Sequence, residues 1–80
     1  MNTYEVYTYL NNREFGATVR FPDLESAIKR AKVRGAKTVN HRVATDDGQV
    51  ITDVQHFIDG TEVTEAEFHA HLKNNLNWNA

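Results

Sequence analysis

The sequence predicts an α+β domain of order ββαββα, a four-stranded antiparallel sheet with two helices packed on one face. Three observations lead there. Apolar and polar residues alternate with period two through several separate runs. Asn11-Asn12, Asp47-Gly48 and Asp59-Gly60 punctuate those runs with residues that tolerate tight turns. Two other segments switch to apolar spacings of three and four and begin with capping residues.

In the first strand Tyr4, Val6, Thr8 and Leu10 share one phase, and Thr3, Glu5, Tyr7 and Tyr9 the other. After the Asn11-Asn12 turn, Phe15, Ala17, Val19 and Phe21 resume the alternation. Asp23 is the expected N-cap of a helix over about 23–34, with Leu24, Ala27, Ile28 and Ala31 as its apolar stripe and Gly35 as its C′ residue. Val39, His41 and Val43 begin a second hairpin that turns at Asp47-Gly48 and returns through Gln49–Ile58. Thr64 and Glu67 form a capping box ahead of Phe68, Leu72 and Leu76, so a second helix starts there. Residues 1–73 then form one domain, with 74–80 an asparagine-rich tail expected to fray, unless Trp78 folds back on the domain. Two ββα units in tandem, about 1–36 and 37–80, use the same elements, although the halves share no residue-level repeat.

Eighty residues with 40% hydrophobic and 25% charged side chains fit a small globular domain. The absence of cysteine excludes disulfides, thiolate metal sites and cysteine nucleophiles. No apolar run is long enough for a membrane span and the N-terminus carries no signal-peptide pattern, so a cytoplasmic protein without membrane contact is expected.

Catalytic patterns are thin. His69 and His71 lie on opposite sides of a helical turn and cannot grip one metal ion from one face. His41 is expected nearly opposite Val54 and diagonal to His56, on one half-buried face. The chain has no Gly-rich phosphate loop and no nucleophile elbow, and its carboxylates fall in turns. No enzyme activity, cofactor or metal is expected.

Charge is strongly segregated. Residues 1–44 hold eight Lys/Arg against four Asp/Glu, and residues 45–80 one against seven. Lys29, Arg30, Lys32, Arg34 and Lys37, joined by Arg42, form a basic block suited to direct nucleic-acid binding. Asp46, Asp47 and Asp53 supply an acidic counterpart. If both helices cover the Val6 face, Tyr7 and Tyr9, with Phe57 beside them, stand on the open sheet face and can anchor a protein partner.

Tyr4–Leu10, Phe15–Phe21, the helix Asp23–Gly35 and the hairpin Thr38–Ile58 resemble the ββαββ layout of small phage-encoded inhibitors, among them certain anti-CRISPR proteins and inhibitors of host RNA polymerase. That resemblance implies a non-enzymatic interaction protein that occludes a nucleic-acid or partner site on a larger protein or ribonucleoprotein complex. Tyr7, Tyr9, Phe57, Asp46, Asp47 and Asp53 are the candidate contact residues, and a homodimer is compatible with the same surface.

Overall fold

The computed structural model describes residues 2–78. Five strands and two helices follow in the order β1 (Asn2–Tyr9), β2 (Val19–Phe21), α1 (Leu24–Ala31), β3 (Ala36–Thr45), β4 (Gly48–Ile58), β5 (Thr61–Val63) and α2 (Glu65–Asn75). The strands form one antiparallel sheet in the order β2-β1-β3-β4-β5. The α+β class stands, and the sheet gains a fifth strand. Asp59 (φ 47°) and Gly60 (φ 88°) both take left-handed backbone, so Ile58 pairs directly with Thr61 and three more residues join the sheet.

The helices lie on opposite faces rather than together. Val6 pairs with Val39, and both pack with Phe57 against Ala27 and Ala31 of α1. Tyr9 pairs with Ala36, and these pack with Ile58 and Val63 against Phe68 and Leu72 of α2. Positions 36 and 39 of β3 differ by an odd number, so their side chains leave the sheet on opposite sides. Phe57 and Phe68 are both fully buried, one under each helix. Truncating either to Ala would cost about 3–5 kcal/mol.

Capping follows the sequence closely. Asp23 accepts hydrogen bonds from the Ser26 backbone N–H (2.8 Å) and hydroxyl (3.1 Å), which hold its carboxyl below its ordinary pKa. Thr64 Oγ1 accepts from the Glu67 N–H, and Glu67 Oε1 accepts from the Thr64 N–H, each at 3.2 Å. Helix α1 stops at Ala31, three residues before the expected end, and Gly35 (φ 114°) serves the entry to β3 rather than the helix cap.

Three one-residue shifts correct the expected hairpins. Asp46 and Asp47 form the β3–β4 turn, since Thr45 pairs with Gly48, and Gly48 takes the positive φ (127°). The second shift is a bulge at Thr52: His41 pairs with Asp53 but Arg42 with Ile51, so Ile51 joins the phase of Val54 and His56. The third lies between β1 and β2. Val6 pairs with Val19, yet Tyr9 bridges to Phe15: three residues of β1 span four on the partner side, so the extra residue lies within residues 16–18, while the 3₁₀ turn at Asn11–Arg13, with Asn12 (φ 60°) and Arg13 (φ 65°) left-handed, closes the loop beyond. Strand β2 therefore spans only 19–21, and Phe15 lies on the Tyr9 side rather than the Val19 side.

Of the expected 74–80 tail, residues 79–80 lie outside the described residues, and residues 74–78 pack back on the domain. Asn74 and Asn75 finish α2, Asn77 (φ 56°) reverses the chain, and the Trp78 N–H donates to the Leu72 carbonyl at 3.0 Å. Trp78 Nε1 donates to the Leu10 carbonyl at 2.6 Å.

Candidate functional site: a protruding arm and an aromatic cleft

The candidate residues disperse. Phe57 is 1% exposed beneath α1 and offers no surface to a partner. Tyr7 and Tyr9 are half-buried on the α2 side of the sheet, where Tyr9 packs against Phe68 (5.1 Å between ring centroids) and Tyr7 meets the edge of Phe15 (6.1 Å). Asp46 and Asp47 are exposed at the hairpin tip, and Asp53 is exposed on β4.

The basic block is divided as well. Lys29, Arg30, Lys32 and Arg34 are exposed on and just after α1. Lys37 is 5% exposed and donates to Thr8 Oγ1 at 3.1 Å; burial, with Arg30 nearby, pulls its pKa down. Arg42 lies on the opposite face of the sheet, paired with Glu5. A nucleic-acid surface built from all six cations is therefore not formed.

Glu5 is the centre of the face that α2 leaves uncovered. Only 3% exposed, its carboxylate accepts from Arg20 Nε at 2.9 Å and from Arg42 Nε. Burial pushes the carboxyl up, but the hydrogen bonds from Arg42 and Arg20 outweigh it and hold the pKa below the ordinary value. Glu5 and then the Tyr7 hydroxyl in turn raise the pKa of Arg42. The two guanidinium groups thus lie over the sheet where a helix would otherwise sit.

The distal half of the β3–β4 hairpin forms an arm with an open outer edge: residues 44–49 extend beyond β1 as a two-stranded tip, while Val50, Ile51 and Val54 stand opposite Val43, Arg42 and Asn40, which β1 flanks on their other side. Residues 48–54 are all exposed, while residues 36–39 at the other end of the same hairpin are all buried. Strand β5 pairs only with His56–Ile58, so the outer edge of β4 is open from there to the tip. One edge group is closed internally, because Asp53 Oδ1 accepts from the Val54 N–H at 2.9 Å. Val50 (48% exposed), Ile51 (47%) and Val54 (41%) project from this arm among the three aspartates. Val50 pairs with Val43, Ile51 with Arg42, so apolar side chains point to both faces.

A cleft of about 700 Å³ opens where the 3₁₀ turn, the end of β1 and the C-terminal half of α2 meet. Its walls are Tyr9, Phe15 and Trp78, whose ring centroids lie 5.0–5.1 Å apart pairwise. Leu72 and His69 complete the α2 side, and the charged groups lining it, Arg13 and Lys73, are both cations. Backbone and side-chain bonds between the two segments hold the cleft together: the Asn12 N–H donates to the Leu76 carbonyl and Asn77 Nδ2 to Asn12 Oδ1, each at 2.9 Å. Trp78 is the one element of this cleft legible in the sequence; that Arg13 and Phe15 meet it depends on the register slip in the first hairpin, which carries no composition signal.

The histidines separate. His41 stacks on Tyr4 (4.4 Å) on the α1 face, whereas His56 lies on the α2 face against Phe68 (4.7 Å) and near His69 (6.2 Å). Burial lowers the pKa of His56, Glu65 counteracts and His69 adds to it. Among the described residues no three His, Asp or Glu side chains converge as a metal site, and no helix is long and apolar enough to cross a membrane. Comparison with known protein families, curated proteins and solved structures returns no match.

Proposed function

We propose that this chain is a non-enzymatic protein-interaction module that seats its β3–β4 arm in a groove of a larger partner. The observation that carries this reading is the arm's exposure of Val50, Ile51 and Val54 in the absence of helix cover. Three β-branched or aliphatic side chains left in water within five residues of one strand edge favour association. Asp46, Asp47 and Asp53 around them select a partner whose groove is basic, and charge of this kind sets approach rate and orientation. Grooves that hold nucleic acid have that character, so occupation by the arm would displace nucleic acid without any chemistry. An inhibitor of the small phage-encoded type, an anti-CRISPR protein included, would act in this way.

The test uses a photo-crosslinking residue at position 51 and another at position 30 on α1, with host lysate treated with nuclease. One protein captured from position 51 only, and lost in the Val50→Asp/Val54→Asp variant, is the expected result. Capture from position 30 alone, or loss of all capture with nuclease, would refute the arm as the binding element.

A further inference from the structure

We infer that the cleft between Tyr9, Phe15 and Trp78 is a second binding site, separate from the arm, and that it takes single-stranded nucleic acid. Its chemistry has two parts. Three aromatic rings converge, and Phe15 keeps 52% of its surface open to solvent although it is the largest apolar side chain so exposed. Arg13 and Lys73 flank the rings, and no carboxylate lines the cleft. Stackable rings beside cations are what a base and its phosphate require, and each stacked base contributes about 1–3 kcal/mol.

The surface continues beyond the cleft, which favours a strand over a mononucleotide. Tyr7 meets Phe15 edge-on at 6.1 Å on the same face of the sheet. Past Tyr7 come Arg42 and Arg20, held over the sheet by Glu5. Tyr9 to Glu5 is about 13 Å along an extended strand. Four cations therefore bracket a run of aromatic rings, opposed by Glu14 and by Glu5, whose carboxylate both arginines already occupy. Asp46 and Asp47 sit at the hairpin tip and Asp53 opposite His41 on the α1 side, and Glu65 lies near His56 on the α2 side, outside the residues lining the cleft. The surface shares no residue with the exposed cations of α1.

Trp78 is the single tryptophan in the sequence, so its fluorescence reports on the cleft directly. Titration with an oligothymidylate of about twelve nucleotides at low salt is expected to quench it saturably. Affinity should fall at least about tenfold between about 50 and 200 mM salt. Phe15→Ala should weaken binding about tenfold with the fold retained and only a modest drop in melting temperature, since the ring is half exposed, and Arg13→Ala/Lys73→Ala should flatten the salt dependence. Lys29→Ala/Arg30→Ala should leave binding intact. Absence of quenching at low salt would overturn the inference. So would thymidine monophosphate binding as tightly as the oligomer, an acidic aromatic peptide outcompeting it, or equal losses from the α1 variant.

Discussion

Asp59 and Gly35 exchange two hydrogen bonds across 24 residues of sequence: the Gly35 N–H donates to Asp59 Oδ1 at 2.9 Å, and the Asp59 N–H donates to the Gly35 carbonyl at 3.0 Å. The turn that adds β5 to the sheet is thereby fastened to the loop leaving α1. Gly60 completes the joint, because a Cβ there would sit 2.9 Å from the Lys32 carbonyl oxygen.

Substitutions at this joint should separate geometry from bonding. Gly60→Ala should cost about 2 kcal/mol or more, from both the φ of 88° and the clash with backbone. Asp59→Ala should cost about 1–2 kcal/mol, while Asp59→Asn should be nearly neutral because Asn tolerates left-handed backbone and keeps an acceptor. Urea unfolding of the three variants checks the order.

His56 should impose an acid limb on stability. Its pKa is lowered by burial, against the attraction of Glu65 and with the repulsion of His69, while Thr38, Val63 and Phe68 supply its other neighbours. The unfolded imidazole binds a proton near pH 6.5 and the folded one only below that, so stability falls as pH drops through 6.5 and downward. His56→Phe should flatten the melting temperature between about pH 5 and 7, whereas His71→Phe should not.

Glu5 acts in a lower window. Its folded pKa is held below 4.5, so the stabilisation is present above that value and lost as pH falls through the folded pKa. Glu5→Ala should destabilise by about 1–3 kcal/mol. Arg20→Ala should cost under about 1 kcal/mol, because the Arg20 side chain is 74% exposed and its pairing is screened by water. Arg42→Ala, whose side chain is 27% exposed, should cost more. Denaturation at pH 7 and pH 3.5 distinguishes these expectations.

Lys37 is a cation placed where an apolar residue would pack. It is 5% exposed, bonded to Thr8, and has no carboxylate in salt-bridge range among the described residues. Lys37→Met should be neutral or stabilising by up to about 1 kcal/mol, because the buried ammonium is desolvated without an ion partner. A lowered melting temperature would contradict that account.

Local signals in the sequence transmitted well. Asp23, Thr64 and Glu67 cap where their spacing places them, because a cap depends on four neighbouring residues and nothing else. Period-two patterns transmitted less far. The Thr52 bulge moves Ile51 to the phase of Val54, and the slip between Phe15 and Val19 puts those two on opposite faces, each reversing side-chain direction without altering the alternation itself. The two-sided placement of the helices was hidden for a related reason. Val6 and Tyr9 are both good core residues, so β1 reads as one apolar face and one tolerant face, yet each face is buried by a different helix. Register misplaces Phe57: His41 opposite Val54 sets Phe57 opposite Thr38 on the Tyr7 face, whereas it pairs with Lys37 on the Val39 face and is buried under α1.

Trp78 and Leu10 lie 68 residues apart and share a hydrogen bond. The wall of the cleft is thus a seam between distant stretches of chain. Closing so long a loop carries an entropy cost and delays its contacts relative to the hairpins. The same seam is held by few bonds at residues 76–78, so it can open by local unfolding while the buried core of the sheet stays intact. Amide exchange at residues 76–78 should therefore run ahead of the β3 core. The aromatic cleft is thus expected to open on its own, ahead of the sheet core it lies against.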